Sequence, residues 1–157
     1  MKNNFSKYQG LGNDFIIFDA RSNNLDHLFS KNKDNFIEHL CNRNFGIGAD
    51  GIILILESNN KCFVRMKIYN SDGSEPEMCG NGIRCLIAFL NDNNEINELS
   101  EIPIETKAGL ILTSIDGNEN IKVNMGEPIL SPLDIPTKLL MNSLKVPNGV
   151  ITLKDQI

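Results

Sequence analysis

Residues 70–91 read NSDGSEPEMCGNGIRCLIAFLN, and they join a loop of turn-forming residues to an apolar helix, with Cys79 at the junction. From Ile83 to Leu90 every residue except Arg84 is apolar, so this helix has no polar face to turn toward water. It is also too short to span a membrane. The stretch therefore predicts a central helix that the rest of the domain surrounds.

Cys79 stands where this helix is expected to begin. The helix dipole and the unpaired N–H groups of the first turn favour a thiolate there. Gly80 and Gly82 lack Cβ atoms, so an anion such as an amino-acid carboxylate can approach those N–H groups. Free cysteines are more often small buried hydrophobic residues, and we interpret Cys62 and Cys85 in that way because they lie in alternating or apolar runs. The Gly-Asn-Gly that follows Cys79 favours ligand binding instead, and we predict that the active site lies here.

Short apolar or alternating segments separated by turn residues indicate strands in the rest of the chain. We predict these at Phe5–Tyr8, Phe15–Phe18, Ile52–Leu56, Phe63–Tyr69, Ile102–Thr106, Leu110–Ser114, Ile121–Met125 and, further on, Val150–Leu153. An apolar stripe from Phe36 to Cys41 predicts a second, peripheral helix. About seven strands with one buried helix suggest an α+β fold, a curved antiparallel β-sheet wrapped around a central buried helix.

Composition limits the kinds of partner and the compartment. The chain has 157 residues, 41% of them hydrophobic, with a net charge of −5. An acidic chain without a basic cluster argues against nucleic-acid and membrane-surface partners. The N-terminus lacks a signal or transit sequence, so we expect a cytoplasmic protein with reduced thiols. The four cysteines form no C-x-x-C pair and the two histidines lie far from them in sequence, so we expect no metal site.

Four motifs, in order, resemble those of the diaminopimelate epimerase family. They are Gly10–Phe15 (GLGNDF), Arg43–Gly51 (RNFGIGADG), Asn70–Cys85 and Val123–Pro128 (VNMGEP). The resemblance implies a fold of two similar halves, each a curved sheet around a central helix, with the active site between them. Accordingly, we expect residues 1–127 to form the first epimerase half-domain and residues 128–157 to be the start of a truncated second half.

The resemblance also implies an activity: interconversion of L,L- and meso-diaminopimelate without a cofactor, by two-base proton transfer in which a thiolate removes the α-proton and a thiol delivers a proton to the opposite face. It makes Cys79 one of the two catalytic cysteines and assigns substrate binding to Asn13, Asn70, Gly80 and Asn81. From the residues alone, Asn13 and Asn70 suit turns and Asn81 suits a helix cap. These roles are compatible with binding.

Four points remain open in the sequence. The second catalytic cysteine belongs to the family's second half, so we expect this chain alone to be a poor enzyme that needs a complementary C-terminal half or acts within a homodimer. Proline-racemase and phenazine-biosynthesis relatives share the architecture and a C-G-x-G element, although Gly10–Phe15 fits them poorly. A non-catalytic half is the remaining alternative. Finally, Gly51 stands where some family members have Gln.

Overall fold

The computed structural model describes residues 4–22, 25, 29, 33–96, 101–116, 118 and 120–130. The strand expected at Val150–Leu153 and most of the segment 128–157 lie outside these residues. The chain divides into two compact units, Met1–Met125 and Gly126–Ile157. Every element described below belongs to the first unit.

Seven strands and two helices make up the described part of this unit. They are β1 (Ser6–Gly10), β2 (Asn13–Asp19), α1 (Lys33–Cys41), β3 (Gly51–Leu56), β4 (Val64–Asn70), α2 (Gly80–Asp92), β5 (Ile102–Thr106), β6 (Gly109–Ile115) and β7 (Ile121–Val123). Each strand overlaps a segment that the sequence predicts, and the α+β class is confirmed. Within the described residues, neither helix has the length and apolar character that a membrane crossing requires.

The strands form one sheet in chain order, β1 to β7. Four neighbouring pairs are antiparallel, but β2–β3 and β4–β5 are parallel. The sheet expected to be antiparallel is therefore mixed, with two of its six pairs parallel. The reason lies in the connections. A helix between two strands carries the chain back to the end of the sheet at which the first strand began, so the second strand runs parallel to the first. Helix α1 makes this crossover after β2, and α2 makes it after β4.

Helix α2 lies against one face of the sheet and builds the main core there. Its buried side chains include Ile83, Leu86, Ile87 and Leu90, which belong to the same apolar cluster as the inward-facing residues of β2 to β5. The exposure of Leu86 and of Leu90 is 0%. The sequence predicts a helix that other elements surround, and the structure agrees for the side of α2 that faces the sheet.

The opposite face of the sheet carries a second core. Helix α1 packs there through Ile37 and Cys41, in one cluster with residues of β2, β3 and Tyr69 of β4. Strand β3 is therefore covered on both faces, which explains why Ile52–Ile55 is a continuous apolar run with 0% exposure at each residue. The helix expected to be peripheral is one of the two layers that enclose the sheet.

One edge of the sheet gathers the loops with the resembling motifs. Phe15 of β2 pairs with Gly51 of β3, and Gly51 pairs in turn with Asn70 of β4. Asn13 begins β2 beside Gly10, the last residue of β1. The starts of β2 and β3 and the ends of β1 and β4 therefore lie at the same edge, and the chain runs from Asn70 to the start of α2.

Candidate active site

Cys79 is the N-cap residue of α2. Its backbone is extended, with φ −145° and ψ 115°, and its Sγ accepts a hydrogen bond from the Gly82 N–H at 3.4 Å. The first helical bond runs from the Ile83 N–H to the Cys79 carbonyl at 2.9 Å. The predicted position of the cysteine at the helix start is confirmed. A thiolate there receives a direct N–H hydrogen bond and lies at the positive end of the helix dipole.

The two N–H groups next to Cys79 are available to a ligand. Among the residues that the structure describes, the N–H groups of Gly80 and Asn81 have no hydrogen-bond acceptor, as is usual in a first helical turn. Gly82 has a packing role, since a Cβ there would lie 2.9 Å from Ile68 Cδ1. The absence of that Cβ lets the first turn of α2 lie close against β4.

An open cavity of about 490 Å³ adjoins the start of α2. Its lining residues are Cys79, Gly80, Asn81, Arg84, Ile121, Val123 and Met125. The cavity thus combines the thiol and the first-turn N–H groups with the apolar side chains of β7 and Met125. Three of the five residues predicted for the site line it. Asn13 and Asn70 are not among its lining residues; they are the first residue of β2 and the last residue of β4.

The turn that carries Asn13 approaches the helix start. A Cβ built on Gly10 would lie 3.6 Å from the Asn81 carbonyl oxygen, an ordinary contact distance. The two segments that the sequence predicts to share a site therefore lie together. Within the described part of the chain, the carboxamides of Asn13 and Asn81 form no hydrogen bond, so both remain free to bind a polar ligand.

Asn70 is already engaged in a turn. Its Nδ2 donates to Ser74 Oγ at 2.9 Å, and its backbone N–H donates to the Ser74 carbonyl at 2.8 Å. The Gly73 N–H closes the loop on the Asn70 carbonyl at 3.0 Å. The turn-making role considered for Asn70 is therefore present, and its Oδ1 and the second N–H of its Nδ2 are left for a substrate.

A charged cluster beside Asn13 was not predicted from the sequence. Arg43 Nη2 contacts Asp14 Oδ1 at 2.7 Å and Asp50 Oδ1 at 2.8 Å, while Lys7 Nζ lies 3.0 Å from Asp14 Oδ2. The Arg43 guanidinium is the main cause of a pKa of Asp14 well below its usual value, and Lys7 and Asp50 lower it further. The signal in the sequence was that Asp14 and Asp50 each belong to a resembling motif.

The remaining cysteines are poor candidates for a reactive thiol. Cys41 and Cys85 are buried, and desolvation raises the pKa of each thiol to about 11. Cys62 is only partly buried, so its interpretation as a buried hydrophobic residue is wrong; it lines a different cavity, together with Glu105 and Leu110 of β5 and β6. Of the four thiols, Cys79 alone is both partly exposed and placed at a helix N-terminus.

The fold of this chain is similar to part of the fold of larger proteins of known structure. A hydroxyproline epimerase from Agrobacterium vitis superposes with a TM-score of 0.56 at 14% identity, covering 76% of this chain and 40% of that one. A PhzF-family phenazine biosynthesis protein from Bacillus anthracis gives a TM-score of 0.52 at 20% identity, covering 77% of this chain and 38% of that one. At such identities the likeness concerns the fold.

Sequence comparison is more specific. It shows that the chain belongs to the diaminopimelate epimerase family, because the sequence model of that family matches residues 5–131. A diaminopimelate epimerase of Prochlorococcus marinus strain NATL2A is 99% identical over 157 residues, 100% of this chain and 55% of that relative. A chloroplastic diaminopimelate epimerase of Oryza sativa subsp. japonica is 49% identical over 135 residues, 86% of this chain and 37% of that relative. The chain thus spans about half the length of these relatives or less.

Proposed function

We propose that this chain is the first half of a cofactor-independent amino-acid epimerase that interconverts L,L- and meso-diaminopimelate, with Cys79 as one of its two catalytic thiols. The observation that carries the proposal is the position of Cys79, whose Sγ lies 3.4 Å from the Gly82 nitrogen and which lines an open cavity. Membership of the diaminopimelate epimerase family supplies the reaction and the substrate. Cys79 and the N–H groups beside it supply the chemical groups that can perform this reaction.

Epimerisation requires loss of the α-proton from one face of the α-carbon and gain of a proton on the other. The Cys79 thiolate accepts the α-proton as a general base, and the electron pair left on the α-carbon is delocalised into the substrate carboxylate. The free N–H groups of Gly80 and Asn81 stabilise the charge that develops there. Asn13, Asn70 and Asn81 bind the α-amino and carboxylate groups through their carboxamides.

The second step needs a thiol on the opposite face, which donates its proton to the α-carbon. Cys85 does not suit this role, because it is buried and lies about 9 Å further along the helix axis at 1.5 Å per residue. Cys41 lies in the core on the other face of the sheet. We therefore assign the second thiol to a second half, which begins near residue 128 and follows the half-domain 1–127.

The division of the two thiols between two halves implies how the active site is closed off from water. A second half, on the same polypeptide or on a complementary chain, covers the open cavity and excludes water from it, which strengthens the interactions with the developing charge. A homodimer of the complete protein is compatible with this arrangement. The proposed compartment is the cytoplasm, where both thiols remain reduced.

The test uses this chain joined to the remaining C-terminal part of the NATL2A relative, with L,L-diaminopimelate in deuterated buffer. The intact protein should produce the meso isomer with deuterium at the inverted α-carbon. Cys79→Ser should lower turnover at least about a hundredfold, the scale of a lost general base. Cys62→Ser is the matched control and should retain full activity.

Two outcomes would contradict the proposal. One is an active Cys79→Ser variant. The other is an intact protein that leaves diaminopimelate unchanged but acts on proline or hydroxyproline, which would favour a related racemase of the same fold. The separate 157-residue chain should exchange the α-proton for deuterium far more than it produces the meso isomer, because a single thiol returns the proton to the face from which it came.

A further inference from the structure

We infer that Asp14, Arg43 and Asp50 form a clamp that positions Asn13 for substrate binding. The inference rests on the proposed function and adds three positioning residues to it. None of the three lines the cavity beside Cys79. They act on the turn between β1 and β2, which carries Asn13.

The turn needs external support because its backbone is strained. Leu11 and Gly12 connect the paired residues Gly10 and Asn13, with φ values of 57° and 84°. Two positive φ values define a type I′ hairpin turn, in which glycine and asparagine are favoured. A leucine in this left-handed region is strained, which is a cost that glycine does not carry. The Leu11 side chain is 82% exposed, so packing contributes little to offset that cost.

The clamp supplies the support on the β2 side of the turn. The Asp14 N–H donates to Asp50 Oδ2 at 3.0 Å, and the Asp50 N–H donates to Asp14 Oδ1 at 3.1 Å. Arg43 joins the two carboxylates, with contacts to Asp14 from both Nη1 and Nη2. Arg43 thus offsets the repulsion between the two negative charges, and Lys7 contacts Asp14 as a second cation at 3.0 Å. Because Asp14 follows Asn13 directly, fixing its backbone also fixes the direction of the Asn13 side chain.

Asp50 also reaches the loop that carries the other predicted asparagine. Its backbone carbonyl accepts a hydrogen bond from the Ser71 N–H at 3.0 Å, one residue beyond Asn70. The backbone of Asp50 thus contacts both turns, because its N–H also donates to the Asp14 carbonyl at 2.9 Å, whereas its side chain holds only the Asn13 turn. A substitution that changes the side chain and leaves the backbone intact should loosen the first turn and spare the second.

This division makes the inference testable with Arg43→Gln and Asp50→Ala in the joined full-length protein. Arg43 is 56% exposed at its side chain, so its loss should cost little global stability. In both variants we expect the KM for L,L-diaminopimelate to rise about tenfold, with kcat changed less than about twofold. A misplaced binding group weakens the binding of substrate and of transition state alike. Arg43→Lys should recover part of the loss, because lysine keeps the charge but not the bidentate geometry.

Hydrogen exchange gives a readout that does not depend on activity. In both variants the backbone N–H groups of residues 11–14 should exchange faster, while those of residues 71–74 keep their wild-type rates. The matched control is Arg65→Gln on β4, another partly exposed arginine with a carboxylate partner, Glu105 at 4.0 Å. It should change neither KM nor exchange in residues 11–14.

The two hypotheses fail in different ways. If the joined protein is an epimerase that depends on Cys79, and Arg43→Gln leaves KM and exchange in residues 11–14 unchanged, the clamp is refuted and the proposed function stands. Equal acceleration of exchange in residues 11–14 and 71–74 would show general loosening and would also overturn the inference. If exchange accelerates in residues 11–14 alone in a protein without epimerase activity, the clamp holds its turn but the proposed function is wrong.

Discussion

The backbone N–H groups of Asp14 and Asp50 make two reciprocal hydrogen bonds: each residue donates to the carboxylate of the other, at 3.0 and 3.1 Å. The two residues are 36 positions apart in the sequence, and the pair ties the start of β2 to the start of β3. Arg43 bridges the two carboxylates and is the main cause of a pKa of Asp14 well below its usual value, to which Lys7 also contributes.

This shift predicts a loss of stability in acid. An unfolded aspartate has a pKa of about 3.9. Because the pKa of Asp14 is lower in the folded chain, the unfolded chain binds more protons in acid. The free energy of unfolding therefore falls as the pH drops from about 5 toward the folded pKa of Asp14. Urea unfolding between pH 3 and 7 should therefore show a shallower pH dependence for Asp14→Asn than for the wild type.

A second variant tests the cause of this pH dependence. Arg43 is the largest contributor to the low pKa of Asp14. In an Arg43→Gln background, Asp14→Asn should change the pH dependence much less than it does in the wild type. An equal change in both backgrounds would show that Arg43 is not the source of the shift.

The thiols should differ in reactivity. Limiting iodoacetamide at neutral pH should label Cys79 before the others, because its Sγ is accessible and receives the Gly82 N–H. Cys41 and Cys85 should react slowly, because burial raises their pKa to about 11. Mass spectrometry of tryptic peptides provides the measurement. Labelling of Cys62 or Cys85 ahead of Cys79 would contradict the assignment.

Gly51 should not tolerate a side chain. A Cβ there would lie 2.4 Å from the Tyr69 carbonyl oxygen and 3.2 Å from Phe15 Cε1, so backbone as well as side chain must move. We expect Gly51→Ala to lower the free energy of unfolding by about 1–3 kcal/mol, the usual cost of overpacking. Gly10→Ala is the control, since its Cβ would meet atoms at 3.6 Å. Equal urea midpoints for the two variants would refute the steric argument.

Tyr8 should stabilise the far end of α2. Its hydroxyl donates to Asp92 Oδ2 at 2.7 Å, and its ring packs edge-on against Phe89 with centroids 5.9 Å apart. Burial and this hydrogen bond raise the pKa of Tyr8 to about 12. Tyr8→Phe keeps the ring and removes the hydrogen bond, so urea unfolding should show a loss of about 1 kcal/mol. In an Asp92→Ala background the same substitution should cost much less, and an undiminished cost there would show that the hydrogen bond is not its source.

Much of the local structure could be predicted because it depends on near neighbours in the chain. The apolar run from Ile83 to Leu90 identified a buried helix, and the glycines beside Cys79 located its start. The uninterrupted apolar run Ile52–Ile55 indicated a buried strand but did not say what covers it. Alternation in β4 separated Met66 and Ile68, which face α2, from Tyr69, which faces α1.

The sequence by itself determined the elements, the N-cap position of Cys79 and the family, because hydrophobic period, turn residues and motif order are properties of neighbouring residues. Tertiary structure decided the parallel pairing of β2 with β3, the closeness of Tyr69 to Gly51 and the clamp of Asp14 and Asp50 by Arg43. These features join residues distant in the chain. Their energies depend on strand direction and on how α1 and α2 pack against the sheet, and no local pattern of residues encodes either.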